Sequence, residues 1–132
     1  LIMPREKAQE LKDLHAKESG IYFKTNSLAK HNLRIGFCFD CGGFKDLDFG
    51  FVKNQKDMLC EFTDKLLATF RQRFPNFSSK KSDLWPAWAD FEDPYGYWGD
   101  EAFLAIESGA LAASMKDKLM KMAAITKVVY PD

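Results

Sequence analysis

Leu33-Arg34-Ile35-Gly36-Phe37-Cys38-Phe39-Asp40-Cys41-Gly42-Gly43-Phe44-Lys45-Asp46-Leu47-Asp48-Phe49-Gly50-Phe51-Val52-Lys53 decides the fold class. Successive side chains of a β-strand point to opposite faces, so a period of two marks a strand with one buried side. Leu33, Ile35, Phe37 and Phe39 alternate with Arg34, Gly36, Cys38 and Asp40. Leu47, Phe49 and Phe51 alternate in the same way with Asp48, Gly50 and Val52. The stretch between them, Asp40 to Asp46, carries turn residues. With Ile21-Tyr22-Phe23-Lys24 as a further short strand, the pattern predicts a three-stranded antiparallel meander with one Phe-rich face.

Outward from the meander the period changes to that of a helix. Ala8, Leu11, Leu14 and His15 recur at helical spacing and predict a charged helix over 5–19, with Gly20 as its stop signal. Met58, Leu59, Phe62, Leu66, Phe70 and Phe74 form an apolar stripe, predicting a helix over 55–74 that Pro75 ends. Asp100 reads as the N-cap of a short helix with Phe103, Leu104 and Ile106. Ser108-Gly109 bends the pattern, and a last helix over 110–129 carries Leu111, Met115, Leu119, Met122, Ile125 and Val129. The expected fold is therefore α+β. A three-stranded antiparallel meander packs against two long helices, with an N-terminal helix, in a single domain spanning residues 1–132. Burying each Phe or Leu of those stripes contributes about 1.5–3 kcal/mol, so they outweigh any surface charge pair.

The 132 residues are 46% hydrophobic, enough for one core. Lys plus Arg and Asp plus Glu are both 19, which removes the strongly basic signature of a nucleic-acid-binding chain but leaves room for a local basic face. No run reaches the roughly 18 apolar residues that a membrane helix needs. The start, Leu1-Ile2-Met3-Pro4-Arg5-Glu6, turns polar at once and does not read as a secretory leader. Because it begins with Leu, the chain reads as a piece of a longer protein or as one with extra residues before Met3. Three cysteines without a leader point to reduced thiols and a cytoplasmic location.

Candidate chemistry is sparse. Cys38-Phe39-Asp40-Cys41 has CxxC spacing, but zinc takes four converging ligands, and Cys60, His15 and His31 have no paired spacing to complete the set. Gly42-Gly43 after that motif is not the helix start of a redox site. Asp90, Glu92, Asp93, Asp100 and Glu101 do not fit the spacing of a calcium loop and read as surface acids and helix caps. No nucleophile elbow or phosphate loop is present. Neither a metal nor a cofactor is expected. The basic residues Lys53, Lys56, Arg71, Arg73, Lys80 and Lys81 lie near a segment dense in aromatics, from Trp85 to Trp98. Charge plus stacking is the chemistry of single-stranded nucleic-acid binding. Trp85, Trp88 and Phe91 recur at helical spacing and read instead as a packed corner. The candidate nucleic-acid contacts are then Lys53, Arg71, Arg73, Lys80, Lys81, Tyr95, Tyr97 and Trp98.

The order of features has a counterpart. Gly20-Ile21-Tyr22-Phe23, then Leu33 to Asp40, then Phe49-Gly50-Phe51 ending in Lys53, then Ser82-Asp83-Leu84-Trp85-Pro86-Ala87-Trp88, an aromatic corner and a final helix follow one another. From about residue 20 to about residue 130 this resembles the C-terminal region of bacterial and phage proteins of the PD-(D/E)XK nuclease-like superfamily. The resemblance implies a magnesium centre made of an Asp on one strand and an Asp/Glu-x-Lys on the next. Asp40 matches the first acid and Lys53 the last residue. Phe51 stands where the second acid belongs, and Asp48 is five residues before Lys53. What the resemblance implies here is a noncatalytic accessory domain that contributes nucleic-acid or protein contacts. Its partner would be DNA or a nuclease-like region outside this sequence. The alternatives are a magnesium-dependent hydrolase using Asp40, Asp46 or Asp48 with Lys53, and a pure protein-interaction module. Whether the chain is an enzyme, and its oligomeric state, stay open at this level.

Overall fold

The computed structural model describes residues 19–39, 46–95 and 99–131. In chain order the elements are β1 (Ser19–Phe23), α1 (Asn26–Lys30), β2 (Leu33–Phe39), β3 (Leu47–Lys53), α2 (Thr63–Arg73), β4 (Ala87–Asp90), α3 (Asp100–Ser108) and α4 (Ala110–Val129). The fold is α+β, and the strands form one antiparallel sheet in the order β1-β2-β3-β4.

The period-two runs set the register. Ile35 stands opposite Phe51, Phe37 opposite Phe49 and Phe39 opposite Leu47, so the large apolar residues share one face. On β4, Ala89 stands opposite Phe49 and Ala87 opposite Phe51. Methyl groups beside phenyl rings leave room for α2 to come down onto the sheet. Phe49 is fully buried, with its ring 4.9–5.7 Å from the rings of Phe70, Phe74, Phe77 and Phe91. From α4, Met122, Ile125 and Val129 close the same core.

Four expectations change. The meander has a fourth strand, because Ala87–Asp90 is extended rather than part of a helix-like corner. The helix expected over 55–74 begins only at Thr63, since Phe62 is in the left-handed region (φ 61°) and interrupts any helix entering from its N-terminal side. Leu59, assigned to that stripe, is 90% exposed. Asn26–Lys30, for which no element was expected, is a short helix capped by the Thr25 hydroxyl, which accepts from the Leu28 N–H at 3.1 Å. The N-cap of α3 is Gly99, with Asp100 in its first turn, where its charge suits the helix dipole. Gly109, at φ 85°, ends α3 and starts α4, as the Ser108-Gly109 break predicts. Gly20 belongs to β1. The helix expected over 5–19 falls, but for Ser19 in β1, outside the described residues, as do Asp40, Cys41 and the turn glycines 42 and 43.

The C-terminus is latched to the segment before α2. The Tyr130 hydroxyl donates to the Glu61 carbonyl at 2.7 Å, and the rings of His31 and Tyr130 lie 4.5 Å apart. Tyr130→Phe keeps the ring and loses the hydrogen bond, leaving the Glu61 carbonyl to solvent. It should cost about 1 kcal/mol in urea unfolding.

Candidate functional site

The face of the sheet opposite α2 and α4 carries residues that the core cluster does not use. By register, Tyr22, Gly36, Gly50 and Trp88 form one row across all four strands, and Gly20, Cys38, Asp48 and Asp90 form the next. Two aromatics thus flank two glycines. After the Lys80↔Trp88 bridge the chain turns back over this gap, with Ser82 N–H donating to Trp85 O at 2.8 Å and Trp85 N–H to the Ser82 hydroxyl at 3.1 Å. The Lys53 N–H donates to Leu84 O at 2.8 Å and ties the turn to the end of β3. The Trp85 ring then lies on Gly36, where a Cβ would come 2.8 Å from its Cη2. A side chain at position 36 would push that ring away.

Between the turn and the second row opens a cleft of about 290 Å³, lined by Cys38, Phe39, Asp48, Ser82, Leu84, Trp85 and Trp88. Lys80 lies against Trp88, one of its walls. The ammonium is 4.8 Å from the centre of the Trp88 ring and donates to Asp90 at 2.8 Å. Burial pushes the Asp90 carboxyl up, but its hydrogen bonds with Asp48 and Lys80 outweigh it and hold Asp90 below the usual carboxylate range. The bond to Asp90 keeps Lys80 charged above its ordinary range against burial, and Asp48 and Asp46 add to the effect. At the other end of the face the Arg34 guanidinium covers the Tyr22 ring at 4.2 Å.

A second polar cluster lies on the core side. Lys118 is buried, donates to Glu92 at 2.6 Å and to the Ser114 hydroxyl at 2.7 Å, and stands 4.5–5.3 Å from the ring centres of Phe91, Phe77 and Phe49. Ser114 also donates to Glu92. Burial raises the Glu92 carboxyl, while the bonds from Lys118 and Ser114 lower it further, so it ends below its ordinary 4.5. Glu92 and Asp90 therefore both bind protons more tightly in the unfolded chain. Their contribution to stability is present above their ordinary values, 4.5 and 3.8, and is lost as pH falls through the lower folded values. Urea midpoints should drop in that acid window, and Glu92→Gln should flatten the drop.

Among the described residues, those expected to contact nucleic acid do not converge. Lys53 follows Phe51 in the alternation and leaves β3 on the helix side, where its charge reaches the Cys60 thiol. Arg71 and Arg73 are exposed in the last turn of α2 and, two residues apart, diverge by about 200° around its axis. Lys80 is held by Asp90, and Lys81 is exposed in the turn. Tyr95 is 6% exposed and packs edge-on against Phe91, so its ring belongs to the core. Tyr97 and Trp98 lie outside the described residues. Asp48 and Lys53, the pair open to a hydrolytic role, leave β3 on opposite faces. Among the described residues no group of three or more His, Cys, Asp or Glu could hold a metal ion. Also among them, no helix is long and apolar enough to cross a membrane. Comparisons with protein-family models, curated proteins and solved structures return no match for this chain.

Proposed function

We propose that this chain is a noncatalytic accessory domain of a PD-(D/E)XK nuclease-like protein, and that it contacts another polypeptide through the aromatic face of its sheet. The observation that carries the reading is the Tyr22-Gly36-Gly50-Trp88 row with the Trp85 ring against Gly36. Rigid aromatics kept half-buried outside the core are the side chains that dominate protein contacts at low entropic cost. At the Trp88 end the charge favours polypeptide over phosphate, because Asp46, Asp48 and Asp90 act on the ammonium of Lys80. The link to the nuclease-like superfamily rests on the order of elements from Gly20 onward. The opposite placement of Asp48 and Lys53 on β3 supports the absence of chemistry.

A second reading, nucleic-acid contact, draws on Arg71, Arg73 and Lys81, which are exposed and make no ion pair with the described residues. Two assays separate the readings. With magnesium and supercoiled or single-stranded DNA, the protein should leave the DNA intact; cleavage that disappears in Asp48→Ala would sink the noncatalytic assignment. In gel retardation at low salt, DNA binding weakened by Trp85→Ala would assign the aromatic face to nucleic acid. Binding that falls steeply with salt and is weakened by Arg71→Gln but not by Trp85→Ala would support the second reading beside the first.

A further inference from the structure

We propose that the segment 59–62 and the cavity beside it form a self-complementary surface, through which two copies of this chain pair about a two-fold axis. Leu59 of each copy enters the cavity of the other. The surface lies on the α2–α4 side of the molecule, and the inference is independent of the reading of the aromatic face.

The knob is Leu59. In sequence it continues the apolar stripe of α2, yet it is 90% exposed, more than any other large apolar residue described. Phe62, with φ 61°, takes the chain out of helical geometry there, so Leu59 stands off α2 instead of covering it. The segment is held at two points. Asn32 Nδ2 donates to the Leu59 carbonyl at 3.2 Å, and the Tyr130 hydroxyl donates to the Glu61 carbonyl at 2.7 Å. The leucine is thus presented at little further ordering cost. The hole lies next to it. A cavity of about 400 Å³, open to solvent, is lined by His31, Phe62, Lys65, Val128, Tyr130 and Pro131. Phe62 is 55% and Val128 45% exposed, so apolar surface on its walls is left to water. Leu59 does not fill this cavity in its own chain, since its side chain is turned to solvent.

Shape and charge select a second copy as the occupant. A two-fold interface joins a patch to itself, so the patch must carry both members of each contact and must not repel itself. Leu59 and the cavity supply knob and hole. Glu61 and Asp64 stand beside Lys65 in sequence, and Lys127 adjoins Val128; all four are exposed, and none makes an ion pair with a described residue. A two-fold rotation can set the acids of one copy against the lysines of the other. Those acids disfavour an anionic lipid surface or a nucleic acid here, and the net charge of zero removes long-range repulsion between copies. The area sets the strength. Leu59, Phe62, Val128 and Pro131 supply the exposed apolar surface, less than the roughly 800 Å² per partner of a standard interface. The dimer should therefore be reversible, with a Kd on the order of 0.1 mM.

Sedimentation equilibrium from about 10 μM to about 1 mM brackets that Kd and tests the pairing. The mean mass should rise from one chain towards two. Leu59→Ser removes both knobs and should weaken pairing at least tenfold, with the urea midpoint of the dilute protein unchanged because the side chain is exposed. Val128→Glu spoils both holes and should weaken pairing likewise. Mixing the two variants restores one contact of the two, the leucine of the Val128→Glu chain in the intact hole of the Leu59→Ser chain. The mixture should therefore associate more tightly than either variant alone. The proposal is overturned if the parent stays a monomer at the highest concentration, which would leave the patch to a different partner. It is equally overturned if Leu59→Ser pairs as tightly as the parent, or if the mixture gains nothing over the separate variants. Should Val128→Glu not fold, the Leu59→Ser comparison decides alone. None of these results bears on the aromatic face.

Discussion

Gly50→Ala should destabilise the fold by at least about 3 kcal/mol, and no change of side chain at Trp88 should restore it. The obstacle is backbone. A Cβ at Gly50 would come 2.6 Å from the Trp88 Cα and press against the Ala87 carbonyl oxygen. Both atoms belong to β4, whose pairing with β3 runs Asp48↔Asp90 through Phe51↔Ala87. To admit the methyl, β4 must move away from β3, taking Ala87 and Ala89 from their places beside Phe51 and Phe49. Unfolding in urea, followed by tryptophan fluorescence, gives the loss directly. If Gly50→Ala/Trp88→Ala recovers the stability of Trp88→Ala, the side chain and not the strand is the obstacle.

Gly36→Ala supplies the control. There the nearest atom to a new Cβ is the Trp85 Cη2 at 2.8 Å, the far end of a side chain anchored on a turn. A ring can tilt where a strand cannot, so the loss should be about 1–2 kcal/mol. It should appear as a change in the near-UV signal of Trp85 without loss of the sheet.

These two glycines also mark how much of the molecule was legible in its sequence. The alternation of Leu33 to Phe39 and of Leu47 to Phe51 sets the register and the buried face, because each strand keeps one side apolar throughout. The outward positions were not read: Gly36 and Gly50 are the small residues there, and what approaches each, the Trp85 ring and the β4 backbone, comes from more than 30 positions away. The fourth strand was hidden by its own composition. Its inward residues are Ala87 and Ala89, too small to stand out, while Trp85, Trp88 and Phe91 imitate helical spacing. They do so only because Trp88 points outward from the strand and Phe91 follows its end, turned into the core. Asp48 and Asp90 lie 42 positions apart, and only the β3–β4 register brings them together. On α4 the stripe was read through Leu119. The buried position is Lys118, which shares its spacing with Met115, Met122 and Ile125. A charge among core positions is a signal, but its partner Glu92 cannot be named without the fold.

That pair carries the other large expectation. Removing the carboxylate should hurt more than removing the amine. Lys118 has 6% of its side chain exposed, Glu92 39%. In Glu92→Ala the ammonium stays enclosed by Phe91, Phe77 and Phe49, with the Ser114 hydroxyl as its remaining hydrogen-bond acceptor. An unpaired charge there should cost about 3 kcal/mol, the lower end of what breaking a buried pair costs. In Lys118→Met the thioether fills most of the same space against the rings, and the stranded Glu92 turns to water, so the loss should be about 1 kcal/mol. The double variant Glu92→Ala/Lys118→Met should then be more stable than Glu92→Ala alone, since it removes the buried charge. The three urea midpoints decide the matter. Were Lys118→Met to lose as much as Glu92→Ala, the ammonium's attraction to the three rings, rather than its pairing with Glu92, would be the main contribution of this residue.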